Sequence, residues 1–168
     1  MKDGEVILVP LGEADLEFLR QIRNDRRMSQ YLFSRHHEIS KEQQSAWFRT
    51  YLQAKDMAIF IAKACPWKSV GYAQANHIDD WNSCAEAGFH IGPEYQGNGY
   101  GTAMVRAFLD IAKKVLLLHR VELRVFADNA RAIHVYQKCG FQAEGILRDA
   151  IWKDGAYRDV LMMSYLVS

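Results

Sequence analysis

Hydrophobic residues along this chain switch between two periods. Two-residue alternation and short apolar runs mark strands, and three-to-four-residue spacing marks helices. Glu5-Val6-Ile7-Leu8-Val9 predicts a first strand, stopped by Pro10. Leu16, Leu19 and Ile22 then recur at helical spacing, and that pattern ends near Asn24-Asp25. Residues 26–37 carry no period and mix polar with aromatic side chains. Ser40-Lys41-Glu42-Gln43 has the form of a capping box, with Trp47, Phe48, Tyr51 and Leu52 at helical spacing behind it, so a second helix is expected.

Met57 to Ala64 is apolar on both faces, which predicts a central strand. Val70 to Ile78 and Ser83 to Ile91 follow as strands, separated by the turn at Asp79-Asp80-Trp81-Asn82, and such short connections imply an antiparallel meander. Met104, Phe108, Ile111 and Val115 place a helix over Ala103 to Leu117. Arg120 to Phe126 alternates, with Val121, Leu123 and Val125 on one face, and the intervening helix makes this strand a right-handed parallel crossover. Asn129 to Lys138 reads as a short helix stopped by Gly140, and the last two runs form a hairpin around Lys153-Asp154-Gly155. The sum is an α+β fold: a mixed, mostly antiparallel sheet of about seven strands flanked by helices, expected to be a single domain over residues 1–168.

Composition narrows the function classes. The chain has 168 residues, 49% hydrophobic and 24% charged, as in ordinary soluble globular proteins. No apolar run approaches the roughly 20 residues that cross a bilayer. Met1-Lys2-Asp3-Gly4-Glu5 lacks the apolar core of a signal peptide. The three cysteines, Cys65, Cys84 and Cys139, form no C-x-x-C pair, so a reducing, cytoplasmic setting is expected. His36, His37, His77, His119 and His134 show no metal-ligand spacing, and no metal is expected. A net charge of +1 gives no electrostatic reason for a nucleic-acid or membrane partner.

One stretch carries chemistry: His90-Ile91-Gly92-Pro93-Glu94-Tyr95-Gln96-Gly97-Asn98-Gly99-Tyr100-Gly101-Thr102. It joins a predicted strand to a predicted helix, and a helix start with bare glycine backbone suits phosphate. Thr102 stands where a dinucleotide fingerprint has its third glycine, and the loop follows a meander, although Asp128 stands where a ribose-binding acid would. No Gly-Lys-Ser/Thr triplet of a P-loop is present. A tight strand-to-helix turn that binds nothing is the plain alternative. A second constellation lies one crossover later, where Asn129 and Tyr136, seven apart, share one helix face.

The segment Gln96-x-x-Gly99-x-Gly101 with Asn129-x-x-Ala132-Ile133-x-x-Tyr136-x-Lys138-x-Gly140-Phe141 resembles the GNAT superfamily of N-acetyltransferases. The ending Glu144-Gly145-Ile146-Leu147-Arg148…Gly155-x-Tyr157-x-Asp159 is similar to its branch of ribosomal-protein N-terminal, polyamine and nucleotide-amino-sugar acetyltransferases. The resemblance implies acetyl transfer from acetyl-CoA to an amine. It implies that the amides of Gly97, Asn98, Gly99, Tyr100, Gly101 and Thr102 cradle the diphosphate. It pairs the backbone of Phe89, His90 and Ile91 with the pantetheine arm, and has Asn129 hold that arm from the other side. Tyr136 would be the general acid at the thioester sulfur, and Lys138 would meet a phosphate or simply face solvent. Glu86, alternating with Gly88 and His90, is the candidate base and amine contact, ahead of Glu122 and His90; a solvent-facing carboxylate is the alternative. Homodimers are common in the superfamily.

Ser34-Arg35-His36-His37 is a neutral-to-basic run where the polyamine branch is acidic, and Arg23-Asn24 followed by Ile39-Ser40-Lys41-Glu42-Gln43…Trp47-Phe48 is similar to the amino-sugar branch. This favours a small-molecule amine, an amino sugar first, with Arg23, Asn24, Arg35 and His36 at the acceptor. A protein N-terminus and a polyamine are the runner-up acceptors. A non-catalytic acyl-CoA-binding module is the reading from another class.

Overall fold

The computed structural model describes residues 5–34 and 37–167. Seven strands form one sheet: β1 (Val6–Pro10), β2 (Met57–Ala64), β3 (Lys68–Asp79), β4 (Cys84–Ile91), β5 (Arg120–Phe126), β6 (Gln142–Lys153) and β7 (Ala156–Leu166). Their spatial order is β1-β2-β3-β4-β5-β7-β6. Every neighbouring pair is antiparallel except β4 with β5. Helices α1 (Leu16–Asn24), α2 (Arg26–Ser29) and α3 (Lys41–Tyr51) lie between β1 and β2. Helix α4 (Tyr100–Lys114) links β4 to β5, and α5 (Ala130–Lys138) precedes the β6–β7 hairpin. This is the mixed, mostly antiparallel architecture that the hydrophobic pattern predicts.

Two details differ from that pattern. Residues 26–29, without a hydrophobic period, form α2 because the Asp25 carboxylate caps it, accepting from the Arg27 backbone N–H at 2.8 Å. Helix α4 stops at Lys114 instead of running to Leu117. The chain turns through Leu117 at φ 52° to bury Leu118, which leaves Val115 and Leu117 exposed.

The sheet carries a core on each face. Phe60 and Ala62 of β2 pack with Met104, Val105 and Phe108 of α4, while Ile59 and Ile61 meet Leu19, Ile22 and Phe48 on the other face. Alternation on β5 buries Val121, Leu123 and Val125, as their spacing predicts. The capping box of α3 is reciprocal: Gln43 N–H donates to Ser40 Oγ at 3.2 Å, and Ser40 N–H donates to Gln43 Oε1 at 2.9 Å.

One break in the sheet positions everything that follows. β4 and β5 pair only at Cys84–Arg120, Ala85–Val121 and Glu86–Glu122. Beyond that rung β4 stays with β3 to Ile91, and β5 stays with β7 to Phe126. The parallel strands therefore diverge and leave a split.

The core that supports this split has Phe108 at its centre. Its ring is fully buried and meets Phe60 at 6.4 Å and Phe89 at 5.2 Å. Phe108→Ala should lower unfolding free energy by about 3–5 kcal/mol, seen as a lower urea midpoint at unchanged slope.

Candidate active site

The split opens into a cavity of about 760 Å³. Its wall brings together residues distant in sequence: Glu86, Phe89, His90 and Ile91 of β4, Gln96, Gly97, Gly99, Gly101 and Thr102 of the loop, and Asn129, Ala132 and Tyr136. Asn98, Tyr100, Lys138, Arg23 and Asn24 do not line it. Arg35 and His36 lie outside the described residues.

The glycine loop owes its shape to two left-handed positions, Gly97 at φ 87° and Gly99 at φ 84°, which a side chain would strain. Gly99 is the N-cap of α4, so the first turn of that fifteen-residue helix presents its amides bare. Gln96 braces the loop from both ends. Its Nε2 donates to the Ile91 carbonyl at 3.2 Å, and its Oε1 accepts from Arg131 Nη1 at 3.1 Å. Asn98 turns inward and donates to the carbonyls of Tyr95 and Gln96 at 3.3 and 3.4 Å. The Tyr100 ring packs on the main core. Asn98 and Tyr100 can therefore offer the cavity only backbone.

Helix α5 begins with Asn129, whose Oδ1 accepts from the Ala132 N–H at 3.2 Å. This cap fixes the helix whose second turn carries Tyr136. The Tyr136 ring rests on Phe89 and Phe141, each at 5.9 Å. Burial disfavours the phenolate and pushes the phenol up to about 12, so the hydroxyl stays protonated across the neutral range.

Glu86 faces the opposite side of the sheet from its neighbours Ala85 and Ala87, which sit in the α4 core. Its Oε1 accepts from Arg124 Nε at 3.0 Å, and His77 Nδ1 lies 3.9 Å from its Oε2. The Arg124 guanidinium lies 5.6 Å from the Phe33 ring centre, and Phe33 meets Phe126 edge-on at 4.9 Å. Segment 30–34 is fastened over this side by the hairpin. Lys153 Nζ donates to the Ser34 carbonyl at 2.9 Å, and Arg158 Nη1 donates to the Gln30 carbonyl at 3.3 Å.

A glycine-braced helix start, a protonated tyrosine and a split strand pair thus share one cavity. The model of the acetyltransferase (GNAT) domain matches residues 5–142. The chain belongs to the GNAT acetyltransferase family. It is 30% identical over 158 residues to spermidine N(1)-acetyltransferase of Escherichia coli, covering 94% of this chain and 84% of that protein. It is 28% identical to the Vibrio cholerae spermidine N(1)-acetyltransferase, over 99% of this chain and 95% of that one. A crystal structure of the Vibrio cholerae spermidine N-acetyltransferase with CoA and spermine superposes with a TM-score of 0.92, at 28% identity, covering 97% of this chain and 96% of that one. The protein is an acetyl-CoA-dependent N-acetyltransferase.

Within this GNAT enzyme the sequence-predicted acceptor residues separate. Arg23 stacks its guanidinium 4.9 Å over the Trp47 ring. Asn24 clasps the backbone of Ile39, donating to its carbonyl at 3.0 Å and accepting from its N–H at 2.9 Å. Both serve the packing of α1 against the chain that enters α3. Glu122 is engaged by Arg120 at 2.6 Å and does not line the cavity. His90 lies flat on Tyr72 at 4.4 Å. Burial first, then the Arg23 charge, hold its imidazole down to about 4, so it is neutral at neutral pH.

Among the lining residues that escape the sequence reading are Arg131, Arg124 and Phe33. Arg131 follows the Asn129 cap, and Arg124 takes the outward phase of β5, so their positions were available signals. Phe33 sits in the aperiodic stretch and carried none. Among the described residues no cluster of His, Cys, Asp and Glu could hold a metal ion, and no helix is long and apolar enough to cross a membrane.

Two outcomes follow from these placements. Asn24→Ala should cost about 1–3 kcal/mol of stability without changing the KM for the amine; a raised KM at unchanged stability would return Asn24 to the acceptor site. The folded His90 pKa lies below its unfolded value of 6.5, so the unfolded chain binds the extra proton first. Stability should fall as pH drops from about 6.5 to about 4, by roughly 3 kcal/mol relative to His90→Phe. Urea titrations of both proteins across that window measure the difference, and parallel curves would refute it.

Proposed function

We propose that this enzyme acetylates the primary amine of a small molecule, with Tyr136 as acid and Glu86 as the amine-side base, over a single domain spanning residues 1–168. The observation that carries the reading is the β4–β5 split, with Tyr136 in its wall on the α5 side and Glu86 on the opposite face. A donor on one face and an amine on the other can then meet through the sheet.

Acetyl-CoA supplies a thioester carbonyl, and transfer forms an N–C bond while the C–S bond breaks. The cavity fits that donor on two counts. The unbraced edge of β4 over Ala87 to His90 offers backbone groups to an amide-bearing arm, as Phe89, His90 and Ile91 were expected to do, although the Ile91 carbonyl is already taken by Gln96. The bare amides from Gly97 to Thr102, with Arg131 beside them, offer positive charge to phosphates. One β4 amide facing the split serves the oxygen of the reacting carbonyl.

An alkyl amine has a pKa near 10 and arrives protonated. Glu86 takes that proton directly or through a water, freeing the nitrogen lone pair for attack. Glu86 passes this first proton to solvent before attack and, ionised again, accepts the second proton that the nitrogen releases as the N–C bond forms. Tyr136 offers its O–H to the departing sulfur. A thiol ordinarily titrates near 8.5, below this phenol, so the hydrogen bond to the developing thiolate contributes more than outright ionisation of the tyrosine.

Spermidine is the reference acceptor, because the two spermidine N(1)-acetyltransferases match over nearly the whole chain. The amino-sugar reading places Arg23, Asn24, Arg35 and His36 at the acceptor, beside the likeness over Ile39 to Phe48. The first two are committed to packing, so neither supports it. A protein N-terminus is a further acceptor to include in any panel.

Tyr136→Phe should lower kcat by about 10²–10⁴-fold and leave CoA affinity nearly unchanged. CoA release with an amine panel and calorimetry with CoA measure the two quantities. An undiminished kcat removes Tyr136 as the acid. Turnover of another amine with none of spermidine reassigns the acceptor.

A further inference from the structure

We propose that Arg124 sets the charge of the acceptor: the enzyme prefers an amine that carries an anionic group on the same molecule over a polycation. This rests on the reading that the cavity acetylates a small-molecule amine at Glu86.

The cavity wall supplies a single carboxylate among the described residues, Glu86, against two guanidinium groups, Arg124 and Arg131. Arg131 is turned to the glycine loop and held by Gln96. Arg124 is therefore the cation on the amine side. It touches Glu86 through Nε alone among the described residues, and its side chain is 40% exposed. A guanidinium has five N–H donors in a planar fork, so the terminal nitrogens are available to a second oxyanion beside Glu86. Phe33 under the guanidinium and Phe126 behind Phe33 hold that fork in place.

The other charges facing this spot are already matched. Glu122, next to Glu86 across the strands, is engaged by Arg120, which also pairs with Glu144. Arg158 pairs with Asp128 and covers the Phe126 ring at 3.8 Å. His77, near Glu86, adds a cation when protonated and no anion. A polyamine entering here meets one carboxylate, already shared with a fixed cation, and no second one in the wall among the described residues. An amine with a carboxylate or phosphate places nitrogen at Glu86 and the oxyanion on the Arg124 fork, which matches both charges.

Arg124 would thus be a specificity residue acting directly on the acceptor and a positioning residue for Glu86. A purely structural role, as counter-ion to Glu86, predicts a uniform loss of activity instead. The test compares kcat/KM for four amines: glucosamine, glucosamine 6-phosphate, β-alanine and spermidine. It is run on the native enzyme, Arg124→Gln and Arg124→Lys, with CoA affinity as the folding control.

The native enzyme should favour at least one anionic amine over both glucosamine and spermidine by tenfold or more. Arg124→Gln should lower the ratio of kcat/KM for that anionic amine over kcat/KM for spermidine at least tenfold, whatever loss both acceptors share, and Arg124→Lys should keep most of the ratio. The phosphate and the carboxylate arms show which oxyanion is read. An anionic-to-cationic ratio unchanged in Arg124→Gln, or native preference for spermidine, overturns this proposal and leaves the transfer reading intact. Bound CoA with no turnover of any amine overturns both.

Discussion

The structure depends on two parallel strands that stop pairing. β4 and β5 share three rungs and then part, each keeping its other neighbour. Strand edges left without partners expose N–H and C=O groups that are costly to bury. The protein manages this edge with Gln96, which takes the Ile91 carbonyl, and by leaving the remainder facing a cavity where water or an incoming amide can serve. The split stays open because each half is anchored away from it. Gly71 brings β3 so close to β4 that an added Cβ would stand 2.2 Å from the His90 carbonyl oxygen. β5 is bound to β7 along its whole length, from Arg120 to Phe126.

The last shared rung sets two carboxylates side by side, Glu86 and Glu122. Like charges directly opposite on neighbouring strands repel. β5 answers with Arg120, Glu122 and Arg124 on one face, so that each carboxylate has its own guanidinium. Partly exposed pairs of this kind contribute little to stability, about 0–1 kcal/mol each. Their value is in position. They hold Glu86 at the last rung before the strands part.

The glycine-loop half of the cavity was legible from the chain because it is local. Residues 90–102 and 129–141 each form a continuous loop-and-helix unit, and the helical period that buries one side of α4 also aims its first turn at the cavity. Asn129 and Tyr136 were seven apart and did come to one wall. Asn98, Tyr100 and Lys138 illustrate the limit of such reasoning. A motif states which residues occur together, whereas the direction of a side chain follows from its nearest hydrogen bond or apolar contact, and Asn98 finds both its acceptors within three residues. Residues 26–29 became a helix through a single cap, a signal with no period to detect.

The Glu86 half of the cavity was not legible because it is assembled over long range. Phe33 comes from an aperiodic stretch, and what holds that stretch in place is Lys153, 119 residues away, with Arg158 beside it. No spacing rule connects such positions. Lys153 is nevertheless the one buried charged side chain among the described residues, with its ammonium on the Ser34 carbonyl, so the hairpin is bolted to the Glu86 side of the cavity. Two halves built this way are separable. Substitutions in residues 30–34, at Arg124 or in the β6–β7 hairpin alter what can approach Glu86 without touching the loop, the helix start or Tyr136. Overall likeness to spermidine N-acetyltransferases therefore bears more strongly on the donor and the chemistry than on the amine. Around the single carboxylate that the cavity wall supplies among the described residues, the side chain fixed at its side is a cation, Arg124.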